Sequence, residues 1–89
     1  MATAKWFKLT PTHSRTLSNK EFGVLVDDIK ANGIQEPIKY VMYNGEMYVV
    51  DGRHRLLAAK KLGITDVPIE EVKLPYKSYR TFEDLFWGN

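Results

Sequence analysis

The chain has 89 residues, a mass of 10.3 kDa and a formal net charge of +2. This length suits one domain with a single small core, and the hydrophobic fraction of 44% and charged fraction of 27% are typical of globular proteins, which excludes a disordered chain. The sequence has no cysteine, which excludes disulfides, thiolate metal sites and a cysteine nucleophile, and no apolar run is long enough for a membrane-spanning helix.

The first part of the chain predicts a short strand followed by a loop. Residues 5–9 alternate weakly between polar and apolar side chains, as in a short strand. Residues 10–17 are turn formers and predict a loop. The N-terminal sequence lacks the apolar stretch of a secretion signal. We therefore expect one domain over residues 1–89, with no targeting signal in this sequence.

The clearest helix is predicted over residues 18–32. Ser18 and Glu21 have the spacing of a capping box, in which each side chain bonds the backbone N–H of the other residue. Gly33 is the expected left-handed residue at the end of this helix. The apolar positions recur with helical spacing and form one stripe, which consists of Phe22, Leu25, Val26 and Ile29.

A β-hairpin is predicted next. Residues 38–43 and 46–50 are rich in β-branched and aromatic side chains and flank Asn44-Gly45, a dipeptide that favours a tight hairpin turn. Pro37 separates the hairpin from the first helix. Three tyrosines are expected to pack across the hairpin, with base stacking as the alternative: Tyr40, Tyr43 and Tyr48.

The rest of the chain predicts a second helix, one more strand and a last helix. The second helix covers residues 53–62 and ends at Gly63, and the strand covers residues 67–72. After a loop at 73–80, a second capping-box pattern predicts a helix over residues 81–87 that caps the sheet. The order β-α-β-β-α-β-α predicts an α+β fold with a small mixed sheet and helices packed on it.

Charge is concentrated where the hairpin runs into the second helix. Arg53, His54 and Arg55 occupy the first helical turn, where the helix dipole favours anions and disfavours cations. Gly52 lets the backbone approach a ligand closely, and Asp51 is the expected N-cap. A phosphate would use the free N–H groups, the arginines and the dipole together, so this segment predicts an anion site. The alternative is that these cations pair with nearby carboxylates or lie in solvent.

Other polar residues are weaker candidates for the same site. Glu36 precedes Pro37 in a short loop, where its carboxylate would act as a base or be an ordinary solvated side chain. His13 and Arg15 lie in the first polar loop and would reach the same ligand, unless they are ordinary surface residues. A Mg²⁺ ion carried by phosphate would be held by Asp51 or Glu36.

Four segments resemble the ParB/sulfiredoxin superfamily and together span about residues 6–73. The segments are residues 31–38, 48–55, 57–63 and 67–68. The resemblance implies the α+β fold already predicted and a nucleotide ligand whose phosphates lie near the start of the second helix. It matches residues 52–55 to the family's Gly-x-x-Arg box, and Glu36 to the polar residue that precedes Pro-Ile in the family.

Arg53 departs from the family's pattern. Sulfiredoxins carry a catalytic cysteine at this position, which excludes their reductase activity here, and partition ParB proteins carry a glutamate, so we expect no role in chromosome segregation. The pattern as a whole is most similar to the ParB-like C-terminal domains of bacterial polymorphic toxins. That likeness implies a nuclease that a larger secreted carrier delivers, that acts in the cytoplasm of a target cell and that a cognate immunity protein binds.

Three functions are left open by the sequence. In a nuclease, Glu36 or Asp51 would activate water or hold a metal ion, Arg53 and Arg55 would bind the scissile phosphate, and His54 would act as acid or base. In a kinase or NTPase, the same residues would hold the polyphosphate of ATP or CTP at the helix start. In a module without catalysis, they would bind a nucleotide, and a protein partner would be an alternative ligand.

Overall fold

A computed structural model describes residues 2–12, 18–77 and 79–87. Within these ranges, five strands form one sheet and three α-helices pack against it. The strands are β1 (Ala2–Lys5), β2 (Leu9–Thr10), β3 (Ile38–Tyr43), β4 (Glu46–Asp51) and β5 (Asp66–Glu71). The helices are α1 (Asn19–Asn32), α2 (Arg53–Leu62) and α3 (Asp84–Trp87). The predicted α+β class is confirmed, and none of the described helices has the length and apolarity to cross a bilayer.

The sheet is mixed, with strand order β1-β5-β3-β4-β2. The β3–β4 hairpin and the β1–β5 pair are antiparallel, whereas β3 with β5 and β2 with β4 are parallel. Pro68 lies one residue before Ile69, where the pairing of β5 with β3 begins, so its missing N–H does not interrupt that parallel ladder.

The predicted strand at 5–9 is wrong in its middle, because a short 3₁₀ turn at Trp6–Lys8 divides it. The reason is topological: β1 and β2 lie at opposite edges of the sheet. The edges of a flat five-stranded sheet would be about 19 Å apart. Four residue steps, from Lys5 to Leu9, reach only about 14 Å. The sheet must therefore curl, and the Trp6 N–H anchors the crossing by donating to the Thr65 carbonyl at 3.0 Å.

The first helix forms as its sequence predicts. The Ser18 hydroxyl accepts from the Glu21 N–H at 3.1 Å, and the Glu21 carboxylate accepts from the Ser18 N–H at 3.2 Å, which completes the capping box. Gly33 ends the helix with φ 75° and ψ −177°, so its φ is positive but its ψ is extended rather than left-handed helical, contrary to the prediction.

The β3–β4 hairpin has the tight turn that Asn44-Gly45 predicts. Asn44 and Gly45 both have positive φ, 51° and 78°, as the tight turn between twisted strands requires. Tyr43 and Tyr48 contact each other across the hairpin, with ring centroids 6.2 Å apart. Tyr40 instead packs against the main core, so the three tyrosines do not form one set.

Buried side chains lie on both faces of the sheet. The larger group joins the sheet to α2 and consists of Leu9, Ile38, Val49, Leu56, Ala59, Val67 and Ile69. A smaller group joins α1 to α2 and consists of Val26, Ile29 and Ala58. A third group lies where the C-terminal segment packs and consists of Val41, Val50, Tyr79 and Leu85.

The last helix is shorter than predicted. It begins at Asp84 rather than near Thr81, and the Asp84 carboxylate accepts from the N–H groups of Arg80 and Thr81 at 2.8 and 3.2 Å. The expected packing of this segment on the sheet is confirmed, since the Phe82 ring stacks on Tyr43 with centroids 4.7 Å apart and Phe86 contacts Tyr48 at 5.3 Å.

Candidate functional site

The site lies where β4 ends and α2 begins, and Gly52 is the one residue between them. Gly52 has φ 98° and ψ 18°, a conformation that a residue with a side chain adopts only with strain. A Cβ added there would lie 3.0 Å from Arg55 Nη2 and 3.2 Å from the Cα of Ile38. Glycine at this position therefore allows both the abrupt turn and the close packing of the helix start on β3.

The predicted N-cap at Asp51 is wrong. Gly52 occupies the N-cap position, and because it has no side chain, the N-cap residue itself does not cap α2. The Asp51 carboxylate is held elsewhere, because it accepts hydrogen bonds from the Tyr76 hydroxyl at 3.2 Å and from Lys77 Nζ at 3.0 Å. The N–H groups of the first turn of α2 have no acceptor within the helix and point out of its N-terminal end.

A pocket of about 110 Å³ lies at this helix start. Its lining includes four of the candidate site residues predicted from the sequence, Asp51, Gly52, Arg53 and His54. The rest of its lining consists of Thr12, Val49, Val50 and Tyr79. The pocket thus combines the positive end of a helix dipole with cationic or proton-carrying side chains, which is the chemistry of an anion site.

Arg55 contacts the connector before β3 and Gly52, and it is not itself among the residues that line this pocket. Its guanidinium lies 3.8 Å from the Glu36 carboxylate, donates to the Pro37 carbonyl at 3.5 Å and packs over Gly52. The Arg55 side chain is 23% exposed and that of Glu36 is 80% exposed. This geometry lets Arg55 position the helix start, and the phosphate-binding role of Arg55 and the catalytic role of Glu36 stay predictions.

Lys77 and Tyr76 keep Asp51 ionised. Partial burial raises the pKa of the Asp51 carboxyl, but the hydrogen bond and charge of Lys77, the charge of Arg55 and the Tyr76 hydroxyl together hold that pKa below its usual 3.8. A carboxylate stabilised in this way is a weak proton acceptor at neutral pH. The geometry supports an orienting role for Asp51 more than the predicted role as a base.

The two carboxylates proposed for Mg²⁺ have separate partners, Lys77 for Asp51 and Arg55 for Glu36. The described part of the chain contains no group of three or more acidic or histidine side chains that would hold a metal ion. These residues do not fit a metal centre built from protein side chains alone. Binding of Mg²⁺ through the phosphates of a ligand stays a prediction.

Two polar residues of the pocket, Thr12 and Tyr79, were not predicted from the sequence. The Thr12 hydroxyl is 9% exposed, donates to the Val49 carbonyl and lies 2.9 Å from the Tyr79 hydroxyl. These partners are 37 and 67 positions away in the chain, so no local pattern reveals them. His13 and Arg15, which were nominated from the same loop, lie outside the described residues.

The solved structures to which this chain is similar share its fold. ParB from Caulobacter crescentus, complexed with CTP-γ-S, matches with a TM-score of 0.74 and 25% identity over 88% of this chain and 47% of that chain. Sulfiredoxin from Arabidopsis thaliana matches with a TM-score of 0.70 and 26% identity over 81% of this chain and 83% of that chain. The chain therefore has the ParB/sulfiredoxin fold, as the sequence predicted, and spans about half the length of that ParB chain.

A third similar structure is a free serine kinase in complex with AMP, with a TM-score of 0.68 and 25% identity over 81% of this chain and 30% of that chain. No protein-family model and no curated protein matches this chain. The likeness to toxin domains therefore stays a prediction from the sequence.

We predict that Gly52→Ala destabilises the protein more than Gly63→Ala does. Both glycines have positive φ, 98° and 74°, so both substitutions introduce about 1–2 kcal/mol of backbone strain. Only the Gly52 substitution also pushes a methyl group against Arg55 and Ile38, since nothing lies within 4 Å at Gly63. Urea unfolding of the two variants measures the difference, and equal losses would contradict the close packing at the helix start.

We predict that the contribution of Asp51 to stability disappears in acid. Because the folded-state pKa of Asp51 is depressed, this contribution is present above its usual pKa of 3.8 and is lost as the pH falls through the lower folded value. The free energies of unfolding of wild type and Asp51→Asn should therefore differ at pH 6 and converge towards pH 2. Lys77→Gln should reduce the difference at pH 6, and a difference that does not vary with pH would contradict the pairing.

Proposed function

We propose that this chain binds a nucleotide and that the start of α2 holds its phosphates. The observation that carries the proposal is the helix start at Gly52, an N-cap residue without a side chain, which lies at a pocket lined by Arg53 and His54. Backbone N–H groups that have no acceptor within the helix, a helix dipole and a guanidinium all favour an anion at one point in space. A phosphate group uses the three together.

The position of the cations supports this proposal. Positive side chains in the first turn of a helix oppose its dipole, at about 0.3–1 kcal/mol each. Arg53 and His54 both line the pocket at this helix start. A bound phosphate there would offset this cost, because it attracts the Arg53 guanidinium and the positive end of the helix dipole.

The similar structures also support it. The ParB structure is a complex with CTP-γ-S, the free serine kinase is seen in complex with AMP, and a mutant of that kinase is seen in complex with ADP. These ligands are nucleoside phosphates on domains of the same fold, although this chain covers only 47% of the ParB chain and 30% of the kinase chain. Nucleotide binding is the property that we carry over, and phosphoryl transfer or NTP hydrolysis would follow from it as a kinase or NTPase activity.

Arg53→Ala is predicted to weaken nucleotide binding by about 1.5–3 kcal/mol, the effect of losing one charge-assisted hydrogen bond. Calorimetric titration of the chain with ATP, ADP and CTP, each with and without Mg²⁺, measures the affinity. Lys30→Ala is the matched control, because it removes an exposed cation in the last turn of α1 and should leave affinity unchanged. Wild-type protein that binds none of these nucleotides would refute the proposal.

A second proposal is the nuclease activity of a toxin effector. The pocket of about 110 Å³ is far smaller than the roughly 300–1,000 Å³ that encloses a whole small ligand. A phosphodiester within a longer nucleic acid would fit the same helix start while its bases lie outside. In this proposal His54 lies at the phosphate as acid or base, Glu36 is the candidate for activating water, and an immunity protein is the expected partner.

If the chain is a nuclease, purified protein with Mg²⁺ or Mn²⁺ should cleave plasmid DNA or RNA. His54→Gln should then reduce the cleavage rate by about 10²–10⁴-fold, because that is the usual contribution of a general acid or base. Gel analysis of time courses for wild type, His54→Gln and the control Lys30→Ala tests this. Intact substrates under all of these conditions would eliminate the nuclease proposal and leave nucleotide binding unaffected.

A further inference from the structure

Two hydroxyl groups in the lining of the pocket, those of Thr12 and Tyr79, have a fixed direction of hydrogen bonding. A backbone carbonyl only accepts, so in the bond between Thr12 and Val49 the Thr12 hydroxyl must be the donor. Its single proton is then used. In the contact of 2.9 Å between the two hydroxyls, Tyr79 must therefore donate to Thr12.

Both hydroxyl protons are thus directed into the protein. Thr12 and Tyr79 are 9% and 7% exposed, and both residues line the pocket. Thr12 Oγ1 accepts one hydrogen bond from Tyr79 and retains a second lone pair. We call these two hydroxyls the acceptor wall, because Thr12 Oγ1 can meet a ligand only as a hydrogen-bond acceptor.

The helix start and the acceptor wall therefore differ in the ligand atoms that they attract. The start of α2 offers N–H donors and positive charge, which suit phosphate oxygens. The acceptor wall offers lone pairs, which repel phosphate oxygens and attract an O–H or N–H group. A ligand that satisfies both sides carries an anion and a donor close together, and it binds in one orientation.

We propose that the acceptor wall binds a ribose hydroxyl of the nucleotide, and that Thr12 is a specificity-determining residue. The inference rests on the proposed nucleotide binding. The donor must lie near the phosphate along the ligand, because a pocket of about 110 Å³ holds only a small part of a nucleotide. The ribose hydroxyls meet this condition, and the amino group of the base lies farther from the phosphate.

The expected difference in affinity follows from the unsatisfied Thr12 oxygen that a nucleotide without ribose hydroxyls leaves in the pocket. A nucleotide without ribose hydroxyls would desolvate the Thr12 oxygen and give it no donor, and a site built to bond a hydroxyl discriminates against such an analogue. For one neutral hydrogen bond at the wall of an open pocket, we expect a preference of about tenfold.

The experiment is a calorimetric titration of the full chain with ATP and CTP and with their 2′,3′-dideoxy analogues, all with Mg²⁺. Wild type should bind the ribonucleotides about tenfold more tightly than the dideoxynucleotides. Thr12→Val should lose this preference while binding dideoxynucleotides as wild type does, which also shows that the variant is folded. Thr12→Ser keeps the hydroxyl and should keep the preference.

The outcomes separate this inference from the proposed function. Equal binding of ribonucleotides and dideoxynucleotides by wild type would overturn the acceptor wall and leave nucleotide binding standing. A preference that survives in Thr12→Val would also overturn it, because the hydroxyl would then be bound elsewhere. If Thr12→Val does not fold, the comparison of wild type with Thr12→Ser still tests the inference, because both proteins should prefer ribonucleotides to dideoxynucleotides. Absence of binding by every nucleotide would remove the proposed function itself.

Discussion

The positive φ of Gly52 is the constraint on which the rest of the site depends. It lets β4 pass into α2 without a connecting loop, and it lets the Arg55 guanidinium and the Cα of Ile38 approach the turn more closely than a side chain at position 52 would allow. Because glycine has no side chain, the N-cap residue itself does not bond the first-turn N–H groups, which point out of the helix start beside the pocket. One residue thus sets the direction of the helix and the chemistry at its end.

The surroundings of this turn come from distant parts of the chain. The curl of the sheet brings β2 beside β4 and so places Thr12 against Val49. The segment after β5 returns across the same region and adds Tyr79, while Lys77 and Tyr76 hold Asp51. Three chain segments therefore meet at one helix start to form the pocket, and two of them each supply a hydroxyl group.

Local sequence patterns predicted the parts of the fold that depend on interactions between residues close together in the chain. The capping box of α1, the Asn44-Gly45 turn and the bounds of α2 depend on residues a few positions apart, and all three are confirmed. The division of the first strand depends on which sheet edges β1 and β2 join, and the loss of the Asp51 cap depends on Lys77. The hydroxyl pair of Thr12 and Tyr79 depends on a contact across 67 positions, which periodicity and turn chemistry do not encode.

The contact between Thr12 and Tyr79 also fixes when the site is completed during synthesis. Thr12 leaves the ribosome before its partner in the pocket, which follows 67 residues later. Helix α2 and the hairpin have all of their own residues well before that point. Because a chain is made from its N-terminus, a nascent chain that lacks the segment around Tyr79 carries the helix start without the Tyr79 hydroxyl. The lining of the pocket is therefore complete only after that segment has been made.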